Sequence, residues 1–215
     1  MKINTVLFDL DGTLIDTNEL IIASFSHTLE HYFPGQYARE DIVSFIGEPL
    51  TESFQRIDSQ RVEEMVEVYR KHNIENHDRL VREYEGVHDT VKCLHRQGYK
   101  LGIVTTKMKR TVRMGMSLAG LNPFFDTVVT FEDVERAKPD PEPINRALSL
   151  LEARPEHTIM VGDSPFDIEA GKNAGTYTAG VSWTIKGADS LRCVGPDVML
   201  DAMPDLLDVL GVKVG

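Results

Sequence analysis

Asp9 and Asp11 stand one residue apart, directly after the apolar run Val6-Leu7-Phe8 and directly before Gly12-Thr13. A short apolar run that ends in acids reads as a buried parallel strand delivering carboxylates to the edge of a sheet. The two-residue period of a strand puts Asp9 and Asp11 on one side and Leu10 on the other. Gly12 lets the backbone turn sharply and come close to a ligand. Two neighbouring carboxylates repel, so the pair makes chemical sense around a cation or as an acid and a base. The same residues also suit an ordinary surface turn, where Asp and Gly are common.

Three later segments offer partners. Val104 leads into Thr105-Thr106-Lys107, and Val161 leads into Gly162-Asp163-Ser164-Pro165-Phe166-Asp167. Ala137-Lys138-Pro139-Asp140-Pro141 precedes a helical pattern. Each signal alone is weak: a threonine after a strand often caps a helix, and Asp163 suits a turn. If the strands are parallel, all these groups gather at one edge beside Asp9 and Asp11.

The elements needed for that arrangement are readable. Short apolar runs at 101–104, 127–129, 158–161 and 178–181 read as strands. Helical patterns at 87–97, 111–119, 143–151 and 167–174 separate most of them, with Gly98, Gly120 and Gly175 as stops and Pro141 and Pro143 at a start. Alternation of this kind predicts an α/β protein with a doubly wound, parallel, Rossmann-like sheet. Between the first strand and Gly86 the period changes. Ile21, Ile22, Phe25, Leu29, Tyr32 and Phe33 recur at helical spacing, as do Val62, Met65, Val66 and Tyr69. Such stripes are ordinary core faces. No strong strand is expected from about Asp16 to Arg82. The expected division is therefore a core of residues 1–15 and 83–215, with a small α-helical cap, 16–82, inserted after the first strand. An insert there lies over the C-terminal edge of the sheet, where ligands bind in this architecture.

In this order, Asp9-x-Asp11-Gly12-Thr13, Thr105, Lys138-Pro139, Gly162-Asp163 and Asp167 resemble the motifs of the haloacid dehalogenase superfamily, over the whole chain. The Asp-x-Asp-Gly-Thr form is similar to its phosphatase and phosphotransferase branch. Residues 18–25, 99–107 and 180–187 narrow the likeness to small bacterial pyrophosphatases, and then to phosphoglycolate phosphatases. The resemblance implies a Mg²⁺-dependent phosphohydrolase. Asp9 would be the nucleophile that forms an aspartyl-phosphate, and Asp11 the general acid and base. Asp9, the Asp11 main-chain carbonyl and Asp163 would hold Mg²⁺. Thr105 and Lys138 would bind the transferring phosphoryl group, and Asp167 would orient Lys138. Gly12, Thr13 and Thr106 would add donors. Gly47-Glu48-Pro49 resembles the cap loop that selects substrate, or else breaks a helix. Lys107 would raise the local positive potential, whereas Lys109 and Arg110 read as a solvated helix start; Lys186 suits either part. Pyrophosphate is the expected substrate, with phosphoglycolate or another small phosphomonoester as the alternative. Sugar-phosphate mutases of this superfamily carry an arginine shortly after the cap glycine and a histidine in the first cap helix. Here Glu48-Pro49-Leu50 and Ile21-Ile22 occupy those places. Receiver modules also use strand-end acids, but are far shorter and lack the insert.

The bulk numbers bound the setting. A 215-residue chain that is 41% hydrophobic builds a real core, and a net charge of −11 argues against nucleic acid as partner. Any anionic substrate therefore needs a locally positive site. Cys93 and Cys193 form no metal or disulfide framework, and the seven histidines form no metal spacing. With no signal-peptide pattern and no apolar run near ~18 residues, a cytoplasmic protein with no membrane association and no obligate protein partner is expected.

Overall fold

The computed structural model describes residues 2–212; Met1 and residues 213–215, which the expected core range includes, lie outside it. The first strand, β1 (Thr5–Phe8), is followed by a two-residue strand, β2 (Ile15–Asp16). Four helices come next: α1 (Asn18–Tyr32), α2 (Arg39–Val43), α3 (Leu50–Ile57) and α4 (Val62–Leu80). Then follow β3 (Arg82–Glu83), α5 (Val87–Arg96), β4 (Lys100–Val104), α6 (Lys109–Leu118) and β5 (Thr127–Val129). The chain continues through α7 (Glu142–Leu150), β6 (Thr158–Gly162), α8 (Pro165–Ala174) and β7 (Tyr177–Val181). It ends with α9 (Ala188–Val194), β8 (Val198–Leu200) and α10 (Asp205–Val209).

Six strands form one sheet in the order β5-β4-β1-β6-β7-β8, with every neighbouring pair parallel. β1 sits between β4 and β6, with Phe8 opposite Ile103 on one side and Val161 on the other. Its alternation sorts the core. Val6 and Phe8 join Leu94, Leu101, Val112 and Leu206 on one face, while Leu7 joins Ile144, Leu148 and Met160 on the other. Both faces are covered, so the strands are apolar throughout rather than alternating. The predicted helices begin and end within two residues of the observed ones.

The helical segment packs around its own apolar cluster. The Phe25 ring lies 4.9 Å from that of Tyr69, 5.3 Å from Phe54 and 5.5 Å from Phe45. One expectation changes at its boundary. Where no strand was expected from Asp16 to Arg82, Asp16 pairs antiparallel with Arg82, and Ile15 with Glu83. Two-residue strands carry no readable period, so the pairing depends on the fold bringing both chain crossings together. Among the described residues, no helix is long and apolar enough to cross a membrane.

Candidate active site

Every predicted strand end opens on one side of the sheet. The Asp9 amide donates to the Val161 carbonyl (2.9 Å) and the Thr105 amide to that of Val129 (3.0 Å), so both residues prolong the ladder by one step. Beyond β1 the chain folds back on itself, with the Gly12 amide donating to the Ile15 carbonyl at 2.8 Å.

Lys138 ties three elements together. Its ammonium donates to Asp9 Oδ1 (2.8 Å), to the Val104 carbonyl (2.9 Å) and to Asp167 Oδ1 (2.5 Å). The other Asp167 oxygen accepts from the Ser164 amide (3.0 Å) and hydroxyl (2.8 Å). Ser164 and Asp167 thereby form a capping box at the start of α8, with Pro165 in its first turn. Burial opposes the charge on Lys138, but Asp167 and Asp9 outweigh it and hold its pKa above the ordinary lysine value.

Asp9, Asp163 and Asp167 are all buried, and each offers an oxygen within 4.8 Å of the others. Burial pushes the Asp9 carboxyl up to about 7, against the pull of Lys138, and Asp167 and Asp11 add to the rise. Burial and then Asp167 likewise push Asp163 well above the usual carboxylate range. Three carboxylates against one ammonium leave an excess of negative charge in a buried place, and Asp163 accepts no hydrogen bond among the described residues. The donor set is hard oxygen, and Asp167 is already engaged. A small divalent cation held by Asp9 and Asp163 fits this arrangement. Gly12 leaves room for the Asp163 carboxylate. At φ +77° its backbone lies so close to Asp163 that a Cβ there would sit 2.3 Å from Asp163 Oδ2.

Asp11 points elsewhere, for its carboxylate accepts from the Lys107 ammonium at 2.6 Å. Thr105 Oγ1 accepts from the Lys107 amide (3.2 Å), which fixes the turn after β4. A cavity of about 350 Å³ opens over these groups. Its floor includes Asp9, Asp11, Thr105, Thr106, Lys107, Lys138 and Asp163, and its roof comes from Ile21, Phe25 and Tyr69 of the helices and from Gly47 and Glu48 of the loop between α2 and α3. Gly47 (φ +92°) brings its loop down on Ser164, where a Cβ would lie 3.1 Å from Ser164 Cβ. Glu48 lines the cavity while bonded to Arg56 (3.0 Å) and Ser53 (3.3 Å).

Not all expected residues reach the cavity. Gly12 and Thr13 are absent from its lining; Gly12 makes room for Asp163, and the Thr13 hydroxyl is buried without a partner among the described residues. Lys186 instead donates to the Ser44 carbonyl at 3.2 Å. Lys109 pairs with Asp133 at 2.7 Å, but Arg110 lines the cavity rather than only facing solvent. The sequence reading also missed Ser164, which anchors Asp167, and Arg70 and Asn73 of α4, which share the cavity face with Tyr69. A polar residue one turn beyond Tyr69, as Asn73 is, was the available signal.

The geometry agrees with what this chain resembles. Residues 6–181 match the haloacid dehalogenase-like hydrolases. The chain belongs to that family. Two relatives named Pyrophosphatase PpaX cover 99% of this chain and are themselves covered to 99%. The one from Anoxybacillus flavithermus is 61% identical over 212 residues, and that from Halalkalibacterium halodurans is 59% identical over 213. A solved haloacid dehalogenase-like hydrolase from Streptococcus pneumoniae superposes with a TM-score of 0.86 at 25% identity, over 96% of this chain and 98% of its own. The strand-end acids and the buried lysine all lie within the matched range, residues 6–181.

Proposed function

We propose that this hydrolase cleaves inorganic pyrophosphate to two phosphates through an aspartyl-phosphate on Asp9, with Mg²⁺ as cofactor. The clustering of Asp9, Asp163 and Asp167, with Lys138 bonded to two of them, beneath the helical segment, carries the chemical part of this reading. The names of relatives about 60% identical over nearly the full length support the substrate. Residues 16–82 would act as the cap and residues 1–15 and 83–215 as the catalytic core.

Asp9 and Asp163 side chains, with the Asp11 main-chain carbonyl, would hold the cation. When bound, it neutralises the acids and polarises the phosphoryl oxygens. Lys138 keeps the Asp9 carboxylate aimed out of β1, so the attacking oxygen is pre-positioned. Asp9 attacks phosphorus, and the leaving phosphate takes the electron pair and a proton from Asp11. Asp11 then removes a proton from water as it attacks the acyl-phosphate, freeing Asp9. The Thr105 hydroxyl and Lys138 stabilise the phosphoryl oxygens as charge builds. Lys107 and Asp11 hold each other at 2.6 Å before substrate enters. An incoming phosphate competes for the same ammonium and releases Asp11 for proton transfer.

An organic phosphomonoester such as phosphoglycolate is the second reading, favoured by the apolar side chains of Phe25, Phe45, Ile46 and Phe131 in the cavity. Comparing kcat/KM for pyrophosphate, phosphoglycolate and sugar phosphates decides between them; a preference for a sugar phosphate overturns the choice of pyrophosphate and of phosphoglycolate alike. Thorough treatment with EDTA should abolish turnover and Mg²⁺ should restore it, and activity that survives sinks the cofactor. Gly12→Ala crowds Asp163, so the Mg²⁺ concentration for half-maximal rate should rise ~10–100-fold. An unchanged Mg²⁺ titration would show that Asp163 does not depend on that space.

A further inference from the structure

Four cationic side chains line the cavity: Lys107, Lys138, Arg70 and Arg110. The two lysines are committed, Lys138 to Asp9 and Asp167, and Lys107 to Asp11. Arg70 and Arg110 have no carboxylate partner and no side-chain hydrogen bond among the described residues, unlike the two lysines beside them. Arg70, half-buried, comes from α4 and Arg110, exposed, from the first turn of α6, and the two helices pack together.

The charge balance explains why two free guanidinium groups belong there. Asp9, Asp11, Asp163 and Asp167 at the floor outnumber Lys107 and Lys138. That end suits a cation and one transferring phosphoryl group, and it repels a second anion. A substrate with another charged end must seat that end away from the floor. The planar fork of a guanidinium matches two oxygens of a phosphate or carboxylate at once, and it is unspent only at Arg70 and Arg110 among the cavity's cations. These residues also place positive charge at the cavity of a protein of net charge −11, which concentrates a dense anion locally.

We propose that Arg70 and Arg110 form a second anion subsite that seats the non-transferred end of the substrate, so that the cavity selects phosphate compounds whose leaving group is itself an anion. This rests on the phosphohydrolase reading above and extends it to the leaving group. As Asp9 forms its bond to phosphorus, the bond from phosphorus to the bridging oxygen breaks. The electron pair stays on the departing phosphate, Asp11 supplies its proton, and the two guanidinium groups carry its added charge. Because one arginine lies on the helical segment and the other on the core, a doubly charged substrate also bridges the two.

The test uses Arg70→Gln, Arg110→Gln and the double variant, with Arg70→Lys as the conservative control. Substrates are pyrophosphate, phosphoglycolate and p-nitrophenyl phosphate, the last without a second anionic group. Each single glutamine variant should raise KM for pyrophosphate and phosphoglycolate ~10–100-fold, with a smaller change in kcat. Values for p-nitrophenyl phosphate should stay within ~2-fold, and Arg70→Lys should recover part of the loss. Equal losses on all three substrates would mean a structural role, and no loss on either doubly charged substrate would leave no subsite; both results overturn the proposal. Calorimetric binding of imidodiphosphate, which needs no turnover, separates this from the substrate reading. Binding that weakens ~100-fold or more in the double variant supports the subsite even if phosphoglycolate proves the better substrate. Equal binding by wild type and double variant refutes it, whatever the wild type hydrolyses.

Discussion

Asp9→Asn should lower kcat for phosphate release by ~10⁴-fold or more, a loss of the size seen when a nucleophile is removed. Asparagine keeps an oxygen that can accept from Lys138, so the contact now at 2.8 Å survives in neutral form. The fold and the β1–β6 ladder are therefore retained, and the loss reports on chemistry rather than collapse. The amide nitrogen cannot attack phosphorus as a carboxylate does. Rapid acid quench should trap a phosphorylated chain, 80 Da heavier, from wild type and none from the variant. A variant that releases phosphate at the wild-type rate would remove Asp9 from the mechanism.

The second large effect is on stability. Lys138→Met leaves Asp9 and Asp167 buried without their common counter-charge. Breaking a buried pair from one side costs about 3–5 kcal/mol. For a domain of this size that is a fall in Tm of roughly 10 °C. The pH dependence has a definite sign. Asp9 already titrates near 7, above the unfolded value of 3.8, so its burial opposes folding increasingly as pH rises from about 4 to 7. Without Lys138 the folded-state pKa climbs further, and the window extends upward. The Tm deficit of the variant should thus be largest above pH 7 and shrink towards pH 4. A deficit that is constant across that range would mean that lost packing, not unpaired charge, is responsible.

Much of the site was legible because its residues sit one step beyond apolar runs. The strand period alone puts Asp9, Thr105 and Asp163 at one edge once the sheet is parallel. Lys138 was harder to place by period, since it lies on no strand; only the fold shows that its loop returns to Asp9 and Val104. β8 escaped notice because its three residues lie between Pro196-Asp197 and Asp201, and pairing with β7 supplies what its own pattern lacks. The α4 face that carries Tyr69, Arg70 and Asn73 was half visible. Tyr69 packs on Phe25 and also lines the cavity, so a stripe read as core is core and wall together. Which side of that stripe meets the site depends on how α4 crosses the sheet edge, and no local pattern records that. Arg110 was read as solvated for the same reason.

The short antiparallel pairing of Ile15–Asp16 with Arg82–Glu83 has a consequence for how such a protein can diversify. It sets the two ends of the helical segment at the distance of neighbouring strands, ~5 Å. Seen from the sheet, everything between them is one closed loop, and closure entropy grows only with the logarithm of loop length. Helices there can be lengthened, shortened or exchanged with little strain on β1. The carboxylate chemistry and the pocket that feeds it can therefore vary almost independently, separated by two residue pairs.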